Sequence, residues 1–110
     1  MISLKEKQEK LKMALKRSPV GVAVYAWKLG ENGLYIKPEG VQDTHWTLLV
    51  NFKEGEYWEI FDSYSPFRKK LAWDYNFGYA KVYYLKKKLL MSRQSESFKR
   101  FFPFLRLFSV

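Results

Sequence analysis

The order of apolar and polar positions divides the chain into one helix and a series of strands. Residues 3–17 repeat apolar positions at helical spacing. Leu4, Leu11 and Leu15 fall near one face with Gln8 and Ala14 between them, and lysines fill the remaining positions. Ser18-Pro19 ends the run, because the residue before proline is pushed out of the α region. Pro19 to Trp27 reads as a buried strand, with Val20, Val22, Val24 and Ala26 on one face and Gly21, Ala23, Tyr25 and Trp27 on the other. Gly30, Asn32 and Gly33 mark turns, and Leu34-Tyr35-Ile36 is a short extended piece that ends at Pro38 and Gly40.

The next unit is a hairpin. Thr44 to Lys53 and Glu56 to Tyr64 are two strand-like runs flanking Glu54-Gly55, and Ser65-Pro66 closes the second. Residues 66–78 read as irregular, with a basic cluster at Arg68, Lys69 and Lys70. Tyr79 to Lys87 is a last strand rich in aromatic and β-branched residues. In the tail, 88–110, Phe98, Phe101, Phe102 and Leu105 have helical spacing, which Pro103 interrupts, and Phe104, Leu107, Phe108 and Val110 add apolar surface. The expected fold is α+β: an N-terminal helix packed on a twisted antiparallel sheet or half-open barrel of about four to six strands. Residues 1–87 would form this unit, and 88–110 an extra helical or irregular tail.

Size and charge narrow the picture. One hundred and ten residues fit one domain, which buries only about two-thirds of its unfolded surface. Four Trp, eight Tyr and nine Phe make a dense core attainable at this length. The net charge of +9 is uneven: residues 1–17 carry +4, residues 18–60 carry −3 and residues 61–110 carry +8. Basic ends around an acidic middle suit a polyanion or an acidic protein partner. There is no cysteine, so disulfides, thiolate metal sites and thiol catalysis are excluded from this chain. No apolar run approaches the roughly 20 residues of a membrane-spanning helix, and the Lys-rich N-terminus lacks the apolar core of a signal peptide. A soluble, cytoplasmic protein is expected.

The candidate chemistry lies in the hairpin. A two-residue loop at Glu54-Gly55 would pair Lys53 with Glu56, place His45 opposite Tyr64 and place Thr47 opposite Asp62. His45, the single histidine, and Asp62 then become diagonal neighbours on one face. A slip of one residue would put them on opposite faces. A carboxylate beside an imidazole fixes its tautomer and stabilises the imidazolium, which prepares the ring to take a proton from a nucleophile. From spacing alone, the simpler reading is two buried polar groups that satisfy each other.

Five segments in order add to this. Leu11 to Val24 carries a short helix through Ser18-Pro19-Val20-Gly21 into a first strand, and Asn32-Gly33-Leu34-Tyr35 follows as a turn. Then come Thr44-His45-Trp46, Tyr57-Trp58 with Asp62-Ser63-Tyr64, and Gly78-Tyr79-Ala80-Lys81-Val82. Over roughly residues 4–87 this order resembles the C-terminal, barrel half of a papain-like cysteine peptidase, nearest to the divergent phage and bacterial type. The resemblance implies that His45 corresponds to the general base and Asp62 to its orienter, where the family has asparagine. It also exposes departures. The half that carries the family's nucleophilic cysteine and its oxyanion-hole glutamine has no counterpart in this sequence, and the tail from 88 onward matches nothing in the family. Ser18, Ser63 and Ser65 are not placed to substitute, and hydroxyls need more activation than thiols.

The expected function is therefore a non-catalytic binding module in which His45 and Asp62 are a catalytic relic. A specific case is a phage-type inhibitor of a host nucleic-acid enzyme, with an acidic protein surface or a nucleoprotein as partner. Two alternatives stay open. The chain could be the His- and Asp-bearing piece of a split cysteine peptidase. It could also bind RNA or DNA directly, with Lys86, Lys87, Lys88, Arg93, Lys99, Arg100 and Arg106 meeting phosphates while Phe or Tyr stack on bases. On any of these readings the candidate binding residues are Arg68, Lys69, Lys70, Lys86, Lys87, Lys88, Arg93, Lys99, Arg100, Phe101 and Phe102. No cofactor and no metal site is expected, since one histidine with scattered carboxylates offers no zinc spacing and the glycines are too sparse for a phosphate loop.

Overall fold

The computed structural model describes residues 2–83 and 104–109. Among the described residues the chain is α+β, with one N-terminal helix, α1 (Leu4–Leu15), and eight strands in a single mixed sheet. The strands are β1 (Val20–Val24), β2 (Lys28–Leu29), β3 (Tyr35–Ile36), β4 (His45–Lys53), β5 (Tyr57–Phe61), β6 (Arg68–Ala72), β7 (Tyr79–Tyr83) and β8 (Phe104–Ser109). Their order across the sheet is β2-β3-β6-β5-β4-β1-β7-β8, so β2 and β8 are the outermost of the described strands. Among the described residues no helix is long and apolar enough to cross a membrane.

Local chemistry sets the helix ends. The Ser3 side chain accepts from the Glu6 backbone N–H at 3.1 Å, and the Glu6 carboxylate reaches back to the Ser3 N–H, a reciprocal cap. The helix ends at Leu15, ahead of Ser18-Pro19, as the proline requires. Its Leu11 is fully buried and joins Val20, Val22, Val24, Leu49, Trp58, Ile60, Leu71 and Phe77 in the core. That core lies between α1 and one face of the sheet. Strand β1 is buried at all five positions, which suits its central place and its run of small and β-branched residues.

The structure corrects the sequence expectation at four points. The β4–β5 loop has three residues, not two: Lys53 pairs with Tyr57, and Gly55 takes a positive φ of 74°. A bulge at Val50 then removes the one-residue offset, so that Leu49 pairs with Ile60 and Leu48 with Phe61. The two deviations cancel, and the His45 end of the hairpin keeps the expected register.

Second, the stretch expected to be irregular contains β6. Its charged residues conceal an alternation in which Lys69 and Leu71 point inward and Arg68 and Lys70 outward. Third, the sheet is not purely antiparallel, because β3 runs parallel to β6 with Tyr35 beside Leu71. Fourth, residues 104–109 are not helical. They form β8 on the open edge of β7, and Phe108 enters the core beside Ala80. A few apolar residues at helical spacing do not outweigh an available strand edge and the proline just before it.

Candidate functional site

The site forms where β4 begins and β5 ends. Val24 of β1 pairs with His45, and the inward alternation of β4 runs His45, Thr47, Leu49. Asp62 follows β5 directly, two residues after the buried Ile60. Both side chains therefore arrive on the core face at one end of the sheet.

The His45 Nε2 and the Asp62 Oδ1 lie 2.6 Å apart. Asp62 is 0 % exposed, and the His45 side chain is 15 % exposed. The carboxylate has two further donors. Lys69 Nζ lies 2.8 Å from Oδ2, and the Tyr64 backbone N–H donates to Oδ1 at 3.1 Å. Burial pushes the Asp62 carboxyl upward. The hydrogen bonds from Lys69, His45 and Tyr64 outweigh it and hold the group below its ordinary value. An ionised Asp62 can only accept, so His45 carries its proton on Nε2 and, when neutral, keeps its lone pair on Nδ1.

Lys69 does more than neutralise the carboxylate. Its ammonium also donates to the carbonyls of Tyr64 and Pro66, both at 2.8 Å, and it lies 5.9 Å from the centre of the Tyr35 ring. The Asp62 backbone N–H donates to the Phe67 carbonyl at 2.7 Å, closing the 62–67 loop. This loop, which contains a cis Ser65-Pro66 bond, displays Tyr64 and Phe67 with more than half of each residue exposed. Trp27, equally exposed, completes a rim around the histidine. The ring centres are 5.4 Å apart for Trp27 and His45, 5.2 Å for His45 and Tyr64, and 5.7 Å for Trp27 and Tyr64.

The sequence-predicted residues thus separate. His45 and Asp62 are joined. Lys69, expected in a surface basic cluster, is instead the buried counter-ion of Asp62, because a strand of alternating faces cannot present three consecutive lysines or arginines to one side. Arg68 and Lys70 are exposed on the other face. Lys86, Lys87, Lys88, Arg93, Lys99, Arg100, Phe101 and Phe102 lie outside the described residues. Trp27 and Tyr64 were not singled out as site residues by the sequence, and no local pattern marks them.

A second polar cluster supports the first from the side. Asp43 accepts from Lys37 Nζ at 2.8 Å, from the Gly78 N–H at 2.9 Å and from the Tyr75 hydroxyl, which in turn accepts from the Tyr25 N–H. Burial, and then the Asp43 carboxylate, push the Tyr75 hydroxyl far above its ordinary value, so it remains a donor. Nearby, Lys7 of α1 donates to Asn76 Oδ1 and to the Phe77 carbonyl, each at 2.9 Å, and burial followed by Lys37 lowers its ammonium from its ordinary value. These bonds tie the helix and the 74–78 segment to the strand that delivers His45. Among the described residues no group of His, Asp and Glu is arranged to hold a metal ion.

The depressed Asp62 carboxyl makes a pH prediction. A group whose folded value lies below its unfolded value of about 3.9 stabilises the fold above that pH, and the contribution disappears as pH falls through the folded value. Asp62→Asn should therefore be clearly less stable than wild type in urea at neutral pH. The gap should close in acid, where wild-type Asp62 is itself protonated. An equal gap at pH 7 and in strong acid would contradict the charge-based account.

No family model matches the sequence, and neither the curated proteins nor the solved structures yield a match.

Proposed function

We propose that the chain is a non-catalytic binding module of papain-like descent, corresponding to the barrel half of that fold. In this reading the His45–Asp62 pair no longer serves catalysis and instead supports a protein-docking rim made by Trp27, Tyr64 and Phe67. One observation carries it: Lys69 binds Asp62 together with the carbonyls of Tyr64 and Pro66, so the orienting carboxylate is committed to building the loop that displays the aromatic residues. Exposed Trp and Tyr held rigid at low entropic cost are what protein-binding hot spots require. The net charge of +9 favours an acidic partner surface. A phage-type inhibitor of a nucleic-acid enzyme is the specific case that combines these features.

A second reading has its own support. With Nε2 bound to Asp62, the His45 Nδ1 lone pair is available to a nucleophile brought by another chain, as in a split cysteine peptidase. One experiment separates the two. The tagged protein is used to isolate its partner, and the complex is treated with a thiol-reactive peptidase probe. A binding module predicts a partner held by wild type, lost with Trp27→Ala plus Tyr64→Ala, and not labelled. Labelling of a partner cysteine in the wild-type complex that vanishes with His45→Ala would replace this proposal with the peptidase reading.

A further inference from the structure

The face of the sheet away from α1 carries a second surface. Alternation along β4 and β5 turns Trp46, Leu48 and Phe61 outward, and pairing sets Leu48 directly between Phe61 and Gly21. Trp46 is 47 % and Phe61 48 % exposed, unusual for large apolar side chains in the middle of a sheet. Gly21, Trp46, Leu48, Phe61 and Lys81 line a depression of about 470 Å3. That volume falls within the roughly 300–1,000 Å3 typical of ligand pockets. The aliphatic part of the Lys81 side chain lies over Gly21.

Cations surround these rings. Arg68 pairs with Phe61 across β5 and β6, and Lys70 is the next outward residue along β6. The Lys70 ammonium lies 4.4 Å from the Tyr57 ring centre, and that of Lys81 lies 4.6 Å from the Trp46 ring centre. Trp46 is also held edge-on by Tyr79, at 5.1 Å between ring centres. Glu59, directly opposite Lys70 on β5, shares this face; it is mostly covered and lies 3.5 Å from Arg68.

We infer that this outer face binds single-stranded nucleic acid, with bases stacking on Trp46 and Phe61 and phosphates meeting Arg68, Lys70 and Lys81. Aromatic platforms bordered by cations on an open sheet meet both needs of a single strand, stacking and neutralisation. Charge complementarity selects this occupant over a second copy. A symmetric pairing of this face would set the same cations against one another on two chains of +9 each. The inference is independent of the reading of the His45 site, because the two surfaces share no residue.

The test is fluorescence anisotropy of a labelled oligothymidine of roughly 12 nucleotides, a length within known site sizes. Wild type should bind, and its affinity should fall about 10-fold between roughly 50 and 200 mM salt. Trp46→Ala and Phe61→Ala should each weaken binding roughly 10-fold at constant salt slope, since no charge is removed. Arg68→Gln with Lys70→Gln should make the salt slope shallower, whereas Lys10→Gln on the far side of α1 should change neither quantity. Circular dichroism checks that each variant is folded, and either aromatic variant suffices. Three outcomes would overturn the inference: no binding by wild type, wild-type affinity in both aromatic variants, or binding to phosphatidylserine vesicles without binding to the oligonucleotide.

Discussion

Lys69→Ala is expected to destabilise the fold by about 3–5 kcal/mol, the range for breaking a buried ion pair from one side. The pair is fully enclosed, with side-chain exposures of 3 % for Lys69 and 0 % for Asp62. Removing the ammonium strands a carboxylate in the core and also takes the donor from the carbonyls of Tyr64 and Pro66. The remaining donors to Asp62, from His45 and the Tyr64 backbone, cannot replace a full positive charge. Arg68→Ala, one position away on the exposed face, serves as the comparison. It loses only a long surface contact to Glu59 and should cost less than about 1 kcal/mol. Urea unfolding at neutral pH measures both. The double variant Lys69→Met with Asp62→Leu sharpens the test, because removing both charges should recover much of the loss. A Lys69→Ala loss no larger than that of Arg68→Ala would show that the network is not a structural keystone, and the functional reading built on it would fall with it.

How much of this was legible in the sequence depends on what each signal measures. The helix was readable because its apolar spacing and its Ser18-Pro19 stop agree with one another. Strand β1 was readable for the same reason. The His45–Asp62 contact was anticipated through a register argument that contained two errors, a loop one residue too short and an unseen bulge at Val50, which cancel. A bulge leaves no reliable mark in local sequence, and turn length is ambiguous when only Glu-Gly marks it. Strand β6 was hidden by chemistry. Lys69 sits at an inward position, and a lysine is read as exposed unless its counter-charge is known, which here comes from Asp62, just past the end of β5. Strand β8 was hidden by context, because its conformation is set by the edge of β7. The aromatic rim was invisible for a related reason: Trp27, His45 and Tyr64 belong to three separate segments and meet only through the sheet.

Trp58→Ala is expected to cost about 3–5 kcal/mol, the range for truncating a buried aromatic residue. Trp58 is fully buried at the centre of an aromatic group. Its ring stacks on Trp73 with centres 4.4 Å apart and planes 8° from parallel, and Phe77 meets it edge-on at 5.9 Å. Domains of this kind have only about 5–15 kcal/mol of total stability, so the variant should be close to unfolding at ambient temperature. The hydrogen bond matters less than the volume. The Trp58 indole N–H donates to the Trp73 carbonyl at 3.1 Å, but Gln8 of α1 also donates to that carbonyl at 3.1 Å, so its loss leaves no orphaned acceptor. Trp58→Phe, which keeps a ring in place, should therefore cost distinctly less than Trp58→Ala. Thermal unfolding followed by near-ultraviolet circular dichroism ranks the three proteins, and the signal of the stacked indole pair should disappear in both variants. Equal losses for Phe and Ala would assign the stabilisation to the hydrogen bond and the stack instead of to filled volume. The expected ranking makes the Trp58–Trp73 stack the element that fixes β5. Because Asp62 follows β5 directly, the position of the carboxylate against His45 is set by packing that begins four residues upstream.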